Sequence, residues 1–254
     1  MYLWLIFNKV LTMIYHKATT TSTNDDARSD ALNHFDVVWA ETQSAGRGQR
    51  GHTWLSGEGQ NLTFSVVLHP HFLPITSQFL LSEVVALALV ECMADYGIEC
   101  RIKWTNDLYA ADSKLAGVLI EHSLAGDRLS RTIVGIGLNV NQRAFDSSLP
   151  NPASMYSLTG RTFDREELLD NYLAHLKGLY AQLEAGNSDY IEQRYQAKMY
   201  HLDERHTYAY PSGECFEAII RGVRPSGELR LEHADGTIRE YAFKEVEFQL
   251  PHKQ

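Results

Sequence analysis

Positive charge is in short supply. Twenty-three Lys and Arg against 32 Asp and Glu leave a net charge of −9. That balance excludes a broad electrostatic footprint for nucleic acid, although not a local basic pocket. Cysteine is scarce as well. Cys92, Cys100 and Cys215 form an odd set whose spacing fits no zinc or redox pattern. Cys92 and Cys100 fall in periodic apolar segments and read as core thiols, and a reducing cytosol fits better than secretion. Internal repeats and low-complexity tracts are missing. The apolar start, MYLWLIF, is broken by Asn8 and Lys9. It is too short to span a bilayer and lacks the basic region and cleavage site of a signal peptide. Met13 stands as an alternative start. A cytoplasmic protein with no membrane partner is expected.

What remains is an ordinary globular composition, 44% hydrophobic and 22% charged over 254 residues, enough for one large domain and a small module. Strands are expected at Ile14 to Lys17, Val37 to Glu41 and Leu62 to Leu68. Others are expected at Ile98 to Trp104, Ala116 to Glu121 and Thr132 to Val140. A short helix over Thr23 to His34 follows from capping-box spacing between Thr23 and Asp26. A long helix over Gln78 to Tyr96 ends at Gly97, which suits the position after a helix end. Asp164 caps another helix, whose apolar stripe is Leu168, Leu169, Tyr172, Leu173, Leu176, Leu179, Tyr180 and Leu183. Ser188 to Met199 reads as one more. After about His201, short strands alternate with turn signals at Pro211-Ser212-Gly213, Pro225-Ser226-Gly227 and Asp235-Gly236, the texture of a small β-barrel. The expected class is α+β with a mixed or antiparallel sheet, divided into residues 1–200 and 201–254.

Between Gly46 and Gly51 the chain reads GRGQRG. The glycines let an anion approach main-chain N–H groups, and Arg47 and Arg50 supply charge. Gly46 to Thr53 is one residue from a phosphate-binding Walker loop, with His52 where lysine belongs. The context also fails, because a strand follows and not a helix. A solvated hairpin is the competing reading. Trp54 is either core or a flat platform for a ring.

A second cluster points to a site. Lys103, Asn106 and Asp107 gather at a strand end in KWTND, Lys114 precedes the next strand, and GIGLNVN spans Gly135 to Asn141. Lys114 taken singly reads as surface, since lysines are mostly exposed. Together, TSTND at Thr21 to Asp25, GRGQRGHTW at Gly46 to Trp54, KWTND with KLAG up to Gly117, and GIGLNVN resemble the biotin protein ligases. The order and spacing of the four segments are specific; any one alone is not.

The resemblance implies a catalytic domain of the class II aminoacyl-tRNA synthetase and biotin ligase type, followed by an SH3-like barrel. It implies activation of biotin by ATP and Mg2+ to biotinyl-5′-AMP with release of pyrophosphate. Biotin then passes to one lysine of a biotin carboxyl carrier domain of a biotin-dependent carboxylase. Ser22, Thr23, Gln43 and Arg47 match biotin contacts, with helix capping the competing role for Ser22 and Thr23. Lys114 matches the lysine beside the biotin carboxylate and α-phosphate. Trp54 and Asn139 match the adenine contacts. Asn106 and Asp107 match the family's Asn-Asp pair; Asp107 organises the site, and Lys103 opens the same motif. Gln49 and Arg50 fall where phosphate is held. Lys114, Arg47 and Asp107 are the expected catalytic residues. No magnesium ligands follow.

Two departures stand out. Gln49 occupies the place of a second loop arginine, keeping donors without charge. Thr105 replaces the proline of K-W-P-N-D. The motifs begin near residue 19, so no DNA-binding domain and no DNA-binding role are expected. A monomer or a homodimer is expected. Rival readings are a lipoate or octanoate protein ligase, and a non-catalytic biotin-binding protein.

Overall fold

A computed structural model describes residues 12–49 and 53–249. The strands β1 (Ile14–Thr20), β2 (Val37–Gln43), β3 (Leu62–Leu68), β4 (Arg101–Lys103), β5 (Asp107–Ala110), β6 (Ser113–Ala125) and β7 (Arg128–Leu138) form one sheet. Its order is β1-β2-β3-β7-β6-β5-β4. Only β1 and β2 run parallel within it, so the sheet is mixed.

Alternation along β3 explains how the sheet is covered. Phe64 faces the helices and meets Tyr172 edge-on at 5.5 Å between ring centres. Thr63 and Ser65 point to the other face, where the cleft described below lies. Helix α1 (Thr23–Asp26) sits on that second face, whereas α2 (Phe79–Asp95) and α4 (Arg165–Glu184) pack together on the first. A short helix, α3 (Met155–Thr159), precedes α4, and α5 (Ser188–Ala197) follows it.

Helix α2 is apolar on nearly every side because sheet and helices enclose it. It lies within Ile75–Asp95, which among the described residues is long and apolar enough to cross a membrane. It serves instead as the core helix. Gly97 follows its end at φ = 75°, as the glycine predicts. Asp164 caps α4 by accepting from the N–H groups of Glu166 and Glu167, and all eight stripe residues are buried. Cys92 and Cys100 are buried thiols, both pushed up to about 12 by burial.

Two expectations need correction, and one strand went unforeseen. The helix from Thr23 to His34 is a single turn, because the Thr23 hydroxyl bonds to Gln43 and Ser65 and does not cap. The alternation from Ile98 to Trp104 holds in burial, but only Arg101–Lys103 is strand. The separate β5 was not foreseen.

The last part of the chain forms β8 (Arg205–Ala209), β9 (Cys215–Val223), β10 (Leu229–His233), β11 (Ile238–Tyr241) and β12 (Glu247–Phe248). They make an antiparallel sheet in the order β11-β10-β9-β8-β12. It docks on the first sheet through Trp104, whose Nε1–H donates to Gly227 O at 2.9 Å. A side chain at Gly227 would strike Phe79 of α2 at 2.8 Å.

Near this junction Glu83 of α2 is 3% exposed, and its Oε2 has no hydrogen-bond partner among the described residues. Burial, with Glu192 nearby, pushes its carboxyl up to about 8. The folded chain therefore holds this proton more tightly than the unfolded chain. The contribution is complete below the ordinary value of 4.5 and declines as pH rises towards 8. Glu83→Gln should gain stability relative to the parent between pH 5 and pH 8 in urea unfolding. Parallel pH dependence in the two chains would contradict this.

Candidate active site

Strand register assembles the site. Thr63 pairs with Gly137, Gly137 with Gly117, Gly117 with Asp107, and Asp107 with Lys103. Residues paired across neighbouring strands share a face. This row crosses five strands and forms the floor of a cleft of about 630 Å³. Its central members are glycines, so the floor is bare there.

Trp54 covers the bare stretch. A Cβ on Gly137 would lie 2.1 Å from the indole, and one on Gly117 3.2 Å from it. The indole Nε1 is buried without a hydrogen-bond partner among the described residues. The glycine loop brings Trp54 there by closing on itself. Trp54 N–H donates to Gly46 O at 3.0 Å, and Arg47 bridges Thr53. A side chain at Gly46 would meet Trp54 O at 2.7 Å, so close backbone approach requires glycine. Arg50, with Gly51 and His52, lies outside the described residues.

Lys114 stands between the aromatic and acidic walls. Its Nζ is 2.8 Å from Asp107 Oδ2 and 6.0 Å from the Trp54 ring centre. Its backbone is fixed on both sides, by Lys114 N–H to Asn151 O and Ala153 N–H to Lys114 O.

A polar end lies beyond Gly135, where a Cβ would strike Asn24 Oδ1 at 2.1 Å. Thr23 N–H and Oγ1 both reach Gln43 Oε1, at 2.7 and 3.1 Å. Ser65 Oγ contacts Thr23 Oγ1 and Asn24 Oδ1, and Asn24 Nδ2 donates to Glu121 at 2.9 Å. Ser22, Thr23 and Asn24 are each 3% exposed. Arg47 makes two hydrogen bonds to Asp25, which hold its pKa above the ordinary arginine value.

Ser22, Thr23, Gln43, Arg47, Gln49, Trp54, Asp107, Lys114 and Asn139 thus share one cleft. Asn139 is buried and its Nδ2 donates to Ala153 O at 2.9 Å. Asn106 does not line the cleft; it is buried behind it, with Oδ1 unpartnered among the described residues. Gln49 donates to Val118 O at 3.4 Å and accepts from Thr105 Oγ1 at 3.1 Å.

Sequence reasoning passed over Asn24, Ser65 and Glu121, although a serine inside the apolar run of β3 was a signal. It also missed Phe243, Glu247 and Phe248, which line the same cleft from the C-terminal sheet.

The Biotin/lipoate A/B protein ligase family matches residues 13–139. The chain belongs to this family. A curated relative, the biotin–[acetyl-CoA-carboxylase] ligase of Paracoccus denitrificans, is 32% identical, covering 86% of this chain and 94% of that one. The bifunctional ligase/repressor BirA of Salmonella typhimurium is 31% identical over 86% of this chain and 68% of its own. Among solved structures, the biotin protein ligase of Aquifex aeolicus in complex with biotin and ATP superimposes with a TM-score of 0.81. It is 26% identical and covers 95% of this chain and all of that one. Within the family, the floor glycines and Trp54 form the feature most exposed to test. Gly137→Ala should expel the indole. The Trp54 emission, taken as the difference from Trp54→Phe in each background, should shift to the red; an unchanged spectrum would mean the indole does not need the bare floor.

Proposed function

We propose that this chain is an ATP-dependent biotin protein ligase, which forms biotinyl-5′-AMP and then transfers biotin to a lysine of a biotin carboxyl carrier domain. The observation that carries the reading is Lys114. Its ammonium lies in one cleft between a buried polar end and an aromatic platform, 2.8 Å from an aspartate. A reaction that joins two anions needs a cation at their meeting point.

Biotin's ureido group has one carbonyl and two N–H donors, and the end formed by Ser22, Thr23 and Gln43 offers both acceptors and donors. Because Thr23 occupies Gln43 Oε1, the amide Nε2 is left to face the ligand. Arg47 exchanges its pairing with Asp25 for the ligand's negative charge. Adenine stacks on Trp54. Asn139, fixed by Ala153, reads the adenine edge. Lys114 lies where the biotin carboxylate attacks the α-phosphate and offsets the charge that develops there. Asp107 holds the Lys114 ammonium in place. Once the anhydride is made, it keeps a carboxylate near the incoming carrier lysine. Asn106 supports the KWTND turn from behind. Arg50 completes the loop's charge, with Gln49 as a neutral donor.

The carboxylates on the cleft wall are Asp107 and Glu247, hard oxygen donors of the kind that Mg2+ uses together with substrate phosphates. These two residues would hold the ion, which when bound neutralises phosphate charge. We divide the chain near residue 200 and read the C-terminal sheet as an SH3-like barrel. A cytoplasmic location and a monomer or homodimer belong to the same reading.

The test is pyrophosphate release and biotinyl-AMP formation with ATP, Mg2+ and biotin, with lipoate in parallel. Adenylate from lipoate alone would move the reading to a lipoate ligase. Tight biotin binding without adenylate would move it to a binder. Lys114→Ala should lower adenylate formation by about 10²- to 10³-fold, the range for losing one electrostatic stabiliser, while biotin binding stays measurable. Near-normal turnover would remove Lys114 from the chemistry. Gln49→Arg should slow escape of biotinyl-AMP, read as the off-rate of the labelled adenylate. An unchanged rate would mean that charge at position 49 does not add to adenylate retention.

A further inference from the structure

The segment joining the two sheets carries three metal-ligating side chains within six residues: His201, Glu204 and His206. One ligand atom from each lies within 4.8 Å of the others. His206 Nε2 is 3.0 Å from Glu204 Oε2. Two ligands sharing a tetrahedral zinc ion stand roughly 3.3 Å apart, given bonds of about 2.0 Å. The pair therefore stands near ligand spacing before any adjustment of the rings. None of the three lines the cleft.

His201 supplies independent observations. Its Nδ1 is buried and has no hydrogen-bond partner among the described residues. Such an orphan is uncommon, because buried polar atoms are normally satisfied. Its backbone is left-handed at φ = 62°, a conformation that few non-glycine residues adopt. The surrounding chain imposes it. Tyr200 N–H bonds to Ile102 O, and Asp203 N–H to Ile220 O. Tyr200 stacks on the His201 ring at 3.6 Å and is anchored by its hydroxyl to Asp112.

We propose that His201, Glu204 and His206 form a Zn2+ site that ties the inter-sheet segment together. Two imidazoles and one carboxylate suit zinc better than magnesium, which prefers oxygen alone. As placed, the His201 and His206 rings are parallel, 3° apart and 3.3 Å between centres. An ion in the plane of one lies off the plane of the other, so one ring turns on coordination. His206 is the one that turns. It lies half-buried in β8, and its ring's only hydrogen-bond partner among the described residues is Glu204, itself a ligand.

The experiment strips the full-length chain with EDTA, removes the chelator and titrates Zn2+ by calorimetry and by competition with a chromophoric chelator. One equivalent is expected, with a Kd of about 1 µM or below. E204Q and H206N should each weaken it at least tenfold and abolish a zinc-induced rise in Tm of a few degrees. Glu204 is exposed, so E204Q tests the site without threatening the fold. H69Q, altered in the separate His34, His69 and His71 group, should bind zinc as the parent does. The proposal is overturned if the parent binds no zinc, if E204Q and H206N bind it unchanged, or if H69Q loses it.

Discussion

The site depends on a strip of sheet without side chains. Gly117 of β6 and Gly137, next to last in β7, face each other, and a Cβ on either crowds Trp54. Glycine weakens a strand, by about 0.5–1 kcal/mol relative to alanine in a regular element. Here the indole covers the strip and restores apolar contact. The same contact positions the rest. It fixes where the loop from Gly46 to Trp54 closes, and so where Arg47 and Gln49 stand. It also leaves Lys114 room to lie beside the ring and reach Asp107. A larger residue on the floor would displace the platform, the loop and the lysine's surroundings together.

The polar end is held differently. Gln43, Thr23, Ser65, Asn24 and Glu121 form a chain of hydrogen bonds from β2 through α1 and β3 to β6. In a region of low dielectric such a chain is worth keeping only if its members are satisfied, and satisfied networks fix orientation. Ser65 has one proton for two acceptors, Thr23 and Asn24. The direction in which the hydroxyls point is therefore shared between neighbours, and a ligand that donates to Thr23 sets the direction for the set. Arg28 and Arg47 both lie against Glu121, at 2.7 and 3.6 Å, which keeps that carboxylate from being an uncompensated charge beneath the pocket.

Much of this was legible in the residues. Leu62–Leu68 as a strand, the eight-residue stripe and Asp164 cap of α4, and Gly97 after α2 follow from local rules, and local rules are what a sequence displays. The four motifs named most of the cleft. What it did not display was register. That Thr63, Gly137, Gly117, Asp107 and Lys103 fall in one row is a property of pairing across five strands, and no spacing along the chain encodes it. Asn106 illustrates the same gap. Its neighbour Asp107 faces the cleft, but Asn106 ends the turn before β5 and is buried away from the cleft. Phe243, Glu247 and Phe248 were hidden for a different reason: they reach the cleft only because the second sheet docks on Trp104 and Phe79.

The two departures from the family's motifs were read separately, as a lost charge and a lost proline. They touch. Thr105 Oγ1 donates to Gln49 Oε1 at 3.1 Å, and Gln49 Nε2 points to Val118 O. A guanidinium at position 49 has no acceptor to offer Thr105, and a proline at 105 has no hydroxyl to offer Gln49. The two departures are joined by this contact. Between them they fasten the glycine loop to the KWTND turn with a neutral contact across the cleft mouth. The charge missing at position 49 is therefore not an isolated defect in phosphate binding. It is one half of a link that holds the loop, and with it Trp54, over the bare floor. An arginine at position 49 would carry charge and would have to reverse that link, donating to the Thr105 hydroxyl instead of accepting from it. Under the proposed function, charge for a phosphate and the present loop contact are alternative uses of one side chain.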